Sequence, residues 1–156
     1  MVYRPGPSWW IKICDFGISK RTEGSTALRT VIGTPAYMAP ELLHQYPPGE
    51  SELASSDDVY TSAVDIWALG EITSQMLTGK NTFSDGRRLH NYVVRGHAFP
   101  TELLNASGCS PECSGFIQKC MAPSPRNRLV AAEALQHDWL ANHEDIDDDG
   151  YVSDPR

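Results

Sequence analysis

The sequence predicts a mainly α-helical domain in which helices surround one buried central helix, with one short strand near the N-terminus. The first observation is a helix-length segment at 62–79 whose apolar residues point to nearly all sides. The second is that further helical patterns follow it, whereas strand-like alternation is confined to Ile11–Cys14. The third is size, because 156 residues with 40% hydrophobic and 21% charged side chains suit one globular domain.

Before the central helix, the sequence predicts only a short strand and a short helix, separated and followed by loops. Ile11–Cys14 alternates apolar and polar residues and predicts a strand. Residues 17–37 are rich in Ser, Thr, Gly and basic residues without a period, which predicts a long loop of the kind that is usually functional or disordered. Pro40–Leu43 predicts a short helix with proline in its first turn. Residues 44–60 predict a flexible surface insertion.

The central helix has a start signal and a stop signal. Ser62 followed by Asp65 resembles a capping box, and Gly79 is placed to end the helix. A helix that is apolar on all sides is expected to be buried on all sides. Its apolar residues are Val64, Ile66, Trp67, Ala68, Leu69, Ile72, Met76 and Leu77.

Two more helices are predicted after the central one. Ser110 and Pro111 form a start signal for a helix that ends near Pro123. The last helix is predicted at 130–140, because apolar residues recur there at the spacing of one helical face. These residues are Ala131, Leu135 and Trp139.

The D-F-G triplet at 15–17 is the first motif that suggests chemistry. A carboxylate at a strand end, followed by a glycine that lets the backbone turn, can hold Mg²⁺ over the phosphates of a nucleotide. Alone, the triplet is equally consistent with an ordinary turn after a strand. Further motifs follow it in order: G-T-P-A-Y-M-A-P-E at 33–41, D-I-W-A-L-G at 65–70, P-R-N-R at 125–128 and L-Q-H-D-W-L at 135–140.

In this order and spacing, the motifs resemble the activation segment and C-terminal lobe of eukaryotic Ser/Thr protein kinases. The resemblance runs from about residue 11 to residue 140. Residues 28–35 most resemble checkpoint and calmodulin-dependent kinases. The resemblance therefore implies a protein-kinase-like C-terminal lobe at 1–141 that begins just before D-F-G.

The resemblance implies that residues 15–41 are the activation segment. Asp15 then corresponds to the magnesium ligand, and Phe16 to the residue whose packing distinguishes active from inactive kinases. Gly17 completes the motif. Thr34 lies where Ser/Thr kinases place a threonine in the loop that receives the substrate residue, which favours Ser/Thr over Tyr specificity.

Two contacts of the lobe are also implied. Glu41 is expected to form a buried ion pair with Arg128 that fixes the activation segment to the lobe. Asp65 is expected to anchor the backbone of the catalytic loop from the central helix. From the residues alone Asp65 is a capping acid beside Ser62, and the two roles are compatible.

Thr30, Thr26 and Ser25 are candidate phosphosites, with Thr30 the first choice. A phosphate adds about −1.5 to −2 charges and can order a loop through arginine contacts. Basic residues stand nearby in the sequence: Lys20, Arg21 and Arg29. The alternative is that these hydroxyls are merely solvated.

Several kinase motifs do not occur in these 156 residues: the glycine-rich loop, the V-A-I-K lysine, the helix-C glutamate and the H-R-D catalytic loop. No catalytic general base is therefore assigned. A full-length parent is expected to use ATP and Mg²⁺, whereas this chain alone is expected to bind neither tightly and to be inactive. The chain is expected to be truncated, biologically or through a gene-model artefact. Loss of neighbouring segments is expected to expose apolar surface, which makes the isolated chain poorly soluble or dependent on a partner.

The net charge of −7 is concentrated in a predicted acidic, flexible tail at 142–156. The remaining body is nearly neutral, so nucleic-acid binding has no electrostatic support. The tail partly matches an EF-hand loop, but Arg156 replaces the bidentate glutamate, so calcium binding is not expected. Without a signal peptide or membrane-spanning run, an intracellular protein of the cytoplasm or nucleus with reduced cysteines is expected.

Two functions remain open from the sequence. The first is a piece of a Ser/Thr kinase whose partners are a protein substrate or an upstream kinase. The second is a non-catalytic, kinase-like module that binds a partner protein through an exposed face of the lobe. A calcium-responsive interaction protein has little support, because only the tail suggests it.

Overall fold

In the computed structural model, residues 34–50 and 62–141 are described in full, together with the backbone of two strands near the N-terminus. The strands are β1 (Val2–Arg4) and β2 (Trp10–Ile11), and they pair in antiparallel fashion. The predicted strand at Ile11–Cys14 is therefore placed differently, since β2 ends at Ile11 and residues 12–14 lie outside the described part. β1 was not predicted, because a three-residue strand is too short to show a clear alternation.

The central helix is confirmed as α1 (Ala63–Thr78). Gly79 ends it in the left-handed conformation at φ 68°, and its N–H donates to the Gln75 carbonyl at 2.8 Å. The predicted capping box is wrong. Ser62 has helical backbone angles of φ −56° and ψ −14° and makes no side-chain cap, whereas a capping side chain needs an extended backbone.

Within the part of the chain that the structure describes, other segments bury one side of α1. Ile66 and Trp67 are buried, whereas a set of four apolar residues is exposed. The described segments pack on the other side of the helix only, and the apolar surface that was expected to be exposed lies on this side. The exposed residues are Leu69 (40%), Ile72 (46%), Met76 (76%) and Leu77 (41%).

Five shorter helices complete the described lobe: α2 (Gly86–Val93), α3 (Glu102–Ala106), α4 (Pro111–Cys120), α5 (Ala131–Leu135) and α6 (Asp138–Ala141). Three 3₁₀ turns lie at Pro35–Tyr37, Pro40–Leu43 and Pro125–Asn127. The turn at Pro40–Leu43 confirms the predicted short helix. The predicted helix after Ser110 is confirmed as α4, since the Ser110 hydroxyl accepts the Cys113 N–H at 3.2 Å.

The single last helix predicted at 130–140 is wrong, because the chain breaks between α5 and α6. The Trp139 N–H donates to His137 Nδ1 at 3.3 Å, so the His137 ring caps the start of α6. The predicted apolar face is wrong at Ala131 and Leu135, which are exposed, and Ala134 is buried instead. Trp139, the third residue of that face, does pack against the core.

The core lies between α1 and α4. Gly70 permits the close approach, since a Cβ there would lie 2.6 Å from Met121 Cγ. Beside this contact Phe83 stacks on Trp67 with ring centroids 6.2 Å apart, and on Tyr92 at 5.3 Å. The Tyr92 hydroxyl donates to the Met121 carbonyl at 3.0 Å, which joins α2 to the end of α4. Among residues 34–50 and 62–141, no helix has the length and apolar character that crossing a membrane requires.

Candidate functional site

The segment from Thr34 to Glu41 runs across the surface of the lobe and ends inside it. Proline starts each of its two 3₁₀ turns, where the missing N–H costs no hydrogen bond. The Tyr37 N–H donates to the Thr34 carbonyl at 3.0 Å, which closes the first turn. Thr34 is exposed, whereas Glu41 is buried. The Thr34 end of the segment is therefore exposed to solvent, and the Glu41 end is held in the interior of the lobe.

Glu41 is fixed by the predicted ion pair with Arg128. The two carboxylate oxygens accept from Nη1 and Nη2 of the guanidinium, each at 2.7 Å. The side chains are 0% (Arg128) and 4% (Glu41) exposed. Parallel, charge-assisted hydrogen bonds of this kind are among the strongest polar contacts in proteins.

Arg128 makes three further hydrogen bonds besides those to Glu41. Its Nε donates to the Ala122 carbonyl at 2.9 Å, Nη1 to the Ala63 carbonyl at 2.9 Å and Nη2 to the Pro123 carbonyl at 3.3 Å. All five N–H donors of the guanidinium are thus used. The guanidinium carbon also lies 5.0 Å from the centre of the Trp67 ring, within the range of a cation–π contact.

The burial of Arg128 is therefore compensated in full. The residue joins the Thr34–Glu41 segment, the first turn of α1 and the loop after α4. A buried ion pair is stable only when hydrogen bonds satisfy its remaining donors and acceptors, and this one meets that requirement.

A second contact holds the same segment nearer to Thr34. The Tyr37 hydroxyl donates to Gln75 Oε1 on α1 at 2.8 Å. The Gln75 side chain in turn donates to Asn81 Oδ1 beyond the end of the helix. The segment is thus attached to α1 by Tyr37 and to the lobe interior by Glu41.

Asp65 lies at the N-terminal end of the open side of α1. It is exposed, in the first turn of the helix. Leu69, Ile72 and Met76 follow it at positions i+4, i+7 and i+11, which share one face of a helix. These four residues, together with Leu77, form the open face of α1. The anchoring role of Asp65 stays a prediction.

Six predicted site residues lie outside the described part of the chain: Asp15, Phe16, Gly17, Ser25, Thr26 and Thr30. Their assigned roles stay predictions. Within the described ranges, no group of three or more His, Cys, Asp or Glu residues is placed to hold a metal ion.

Sequence reasoning missed a buried carboxyl on α1. Glu71 is 1% exposed, and its Oε1 accepts the Thr82 N–H at 3.0 Å. Burial raises the pKa of Glu71, while hydrogen bonds from Thr82 offset part of the rise. The Thr82 hydroxyl donates to Ser74 Oγ at 2.8 Å, so this buried group connects α1 to the loop before α2. The available signal was the position of Glu71, four residues after Trp67 and therefore on the same helical face.

The match to known proteins decides the family. Residues 3–140 match the family model of the protein kinase domain. The chain belongs to the protein kinase family. Among the relatives of this kinase chain is a serine/threonine-protein kinase H1 homolog from Pinctada fucata, 34% identical over 147 residues, which are 92% of this chain and 32% of that protein. The human serine/threonine-protein kinase H2 is 35% identical over 144 residues, which are 90% of this chain and 34% of that protein.

Solved kinase structures share the fold. The crystal structure of Rad53 1–466 in complex with AMP-PNP covers 69% of this chain with a TM-score of 0.52 and 33% identity, over 26% of its own chain. These matches confirm the predicted eukaryotic Ser/Thr kinase family, its checkpoint-like branch and the C-terminal-lobe fold. The kinase chain spans about a third of the length of the curated relatives it matches.

Proposed function

We propose that this chain is part of a protein Ser/Thr kinase that transfers a phosphoryl group from ATP to serine or threonine of an intracellular protein, in the cytoplasm or nucleus. The observation that carries the proposal is the buried Glu41–Arg128 pair. It holds the Glu41 end of the Thr34–Glu41 segment inside the lobe, while Thr34 at the other end is exposed at the surface.

The presentation of Thr34 supports this function. Thr34 is exposed, and the segment behind it is fixed by Tyr37 on α1 and by Glu41 in the interior. Catalysis of phosphoryl transfer depends mainly on positioning and electrostatics. The Thr34–Glu41 segment contributes to positioning, because a loop that is fixed to the lobe can align an extended substrate peptide.

Asp15 is the residue to which we give the magnesium-ligand role. Mg²⁺ bound with ATP neutralises charge on the phosphates. No H-R-D-x-x-x-x-N sequence occurs in the 156 residues, so the chain contributes no general base for the substrate hydroxyl. We therefore expect the chain alone to bind ATP weakly and to transfer no phosphate.

Regulation is assigned to Thr30, followed by Thr26 and Ser25. A phosphate on Thr30 would lie next to Arg29 in the sequence and could order the segment that ends at Glu41. The partner implied is an upstream kinase.

The test joins this chain to the upstream lobe and catalytic loop of the human kinase H2 relative. The chimera is expected to phosphorylate Ser/Thr peptides and not Tyr peptides, and the chain alone is expected to phosphorylate neither. Asp15→Asn is expected to abolish transfer, whereas Asp145→Asn in the acidic tail is a control expected to leave it unchanged. A chimera that binds ATP–Mg²⁺ but phosphorylates no Ser/Thr peptide would contradict the proposal.

The open face of α1 favours a second function, a module that binds a partner protein without catalysis. Met76 is 76% exposed and Ile72 is 46% exposed, which is unusual for apolar residues on a central helix. On this hypothesis the chain forms a specific complex that Ile72→Glu disrupts. Gln136→Glu, which adds the same charge to an exposed site on another surface, is expected to leave the complex intact. If the chimera has kinase activity and the 156-residue chain forms no complex with a partner protein, this second function is excluded.

A further inference from the structure

Two cysteines lie on either side of the residue that starts α4. Cys109 directly precedes Ser110, and Cys113 is the third residue of the helix. The Cys113 N–H donates to Ser110 Oγ at 3.2 Å, while the Cys109 thiol points to the Ser110 carbonyl at 3.6 Å. The Cys109 N–H donates to the Leu104 carbonyl at 3.1 Å, which fixes the backbone before the turn. Both residues are therefore held in one short, hydrogen-bonded turn, and Cys109 packs against the core cluster that contains Cys113.

The two thiols differ in their access to solvent. Cys109 is half-buried, whereas Cys113 is 3% exposed; both are free. Cys120 is also free but 0% exposed, two turns further along α4. A reagent in solution therefore meets Cys109 first.

We propose that Cys109 and Cys113 form a redox-active dithiol that closes to an intramolecular disulfide under oxidising conditions, with Cys109 as the entry thiol and Cys113 as the resolving thiol. The site is separate from the Thr34–Glu41 segment and does not depend on kinase activity. Its substrate class is a small disulfide such as oxidised glutathione.

The chemistry balances with that oxidant. The Cys109 thiolate attacks one sulfur of oxidised glutathione, which forms a mixed disulfide and releases one glutathione thiolate. Cys113 then loses its proton to solvent and attacks the Cys109 sulfur, which closes the ring and releases the second glutathione thiolate. Two protein thiols are oxidised and one glutathione disulfide is reduced to two thiols. Under the reducing conditions of a cytosol the pair returns to the dithiol.

The electrostatics of the pair fit these roles. Burial raises the pKa of Cys113 to about 12, and the hydrogen bond and charge of Cys109 contribute to the rise. Cys113 therefore keeps its proton until Cys109 has reacted. Because burial opposes the ionisation of Cys113, ring closure is expected to be the slow step.

The test uses the 156-residue chain and oxidised glutathione, followed by alkylation in denaturant and tryptic mass spectrometry. Cleavage after Arg95 and Lys119 leaves Cys109 and Cys113 in one peptide, whereas Cys14 and Cys120 fall in other peptides. That peptide is expected to lose the mass of two hydrogens and to escape alkylation. Cys113→Ser is expected to leave a persistent glutathione adduct on Cys109, and Cys120→Ser is expected to react as the wild type.

A comparison with the unfolded chain separates the folded turn from the sequence spacing. At one ratio of oxidised to reduced glutathione, the disulfide is expected to be several-fold more populated in the native chain than in urea, because the turn holds the thiols together. A native chain that stops at the mixed disulfide, that does not react at Cys109, or that closes no more than the unfolded chain would overturn the proposal.

Discussion

Replacement of Arg128 by alanine is expected to lower the free energy of unfolding by about 3–5 kcal/mol. The substitution leaves the Glu41 carboxylate, whose side chain is 4% exposed, buried without its cation. It also removes the donors to the carbonyls of Ala63, Ala122 and Pro123. Because a domain is usually stable by only about 5–15 kcal/mol, this loss is a large fraction of the total.

The measurement is urea unfolding of the 156-residue chain at low protein concentration, followed by circular dichroism and tryptophan fluorescence. Arg126→Ala is the matched control, since Arg126 is exposed in the 3₁₀ turn directly before Arg128 and its loss is expected to change stability by less than about 0.5 kcal/mol. Glu41→Leu combined with Arg128→Met is expected to cost less than the sum of the single changes, because neither charge then stays buried alone.

An Arg128→Ala variant within about 1 kcal/mol of the Arg126→Ala control would refute this reasoning. That result would mean that the ion pair contributes no more than a surface contact. High salt separates the two cases in a second way. A pair with 0% and 4% exposed side chains is screened little, so the difference between Arg128→Ala and the control is expected to persist at about 1 M salt.

Three further substitutions test α1. The folded state holds the Glu71 proton more tightly than the unfolded chain, so its stabilising contribution is present at acid pH and is lost as pH rises through the raised pKa. Glu71→Gln is therefore expected to gain Tm relative to the wild type as pH rises above about 4, the ordinary pKa range of glutamate, and a constant difference would contradict this. Gly70→Ala is expected to cost about 1–3 kcal/mol in urea unfolding, because the added Cβ would lie 2.6 Å from Met121 Cγ. Gly115→Ala has open space and is expected to be neutral or stabilising, so equal effects of the two changes would exclude overpacking. Met76→Gln is expected to change stability by less than about 0.5 kcal/mol and to reduce self-association of the chain, measured by sedimentation. Unchanged self-association would show that the open face of α1 does not mediate it.

Local signals were enough for the elements with clear ends. Gly79 and the Ser110–Pro111 pair predict the end of α1 and the start of α4, and both lie where the sequence puts them. The helices α2 and α3 were not predicted. α2 is rich in polar residues, and α3 has five residues, too few for a periodic pattern.

Contacts between distant residues could not come from local patterns. Glu41 and Arg128 are 87 positions apart, and only the kinase resemblance suggested that they meet. The break between α5 and α6 depends on the His137 ring, which accepts the Trp139 N–H, and helical spacing does not reveal such a cap. Tertiary contacts, rather than propensity, decide these features.

The apolar residues of α1 lie on a closed side and an open side of the helix, and the polar residues on the two sides differ in their contacts. On the closed side Glu71, Ser74 and Thr82 satisfy one another within the fold, and burial there contributes to the stability of this chain. On the open side Asp65 and Met76 are exposed at the two ends of an apolar stripe, so burial there can contribute only to binding. Substitutions on the closed side should therefore change unfolding, and substitutions on the open side should change association. This separation allows the stability of the lobe and association through the open face of α1 to be measured independently.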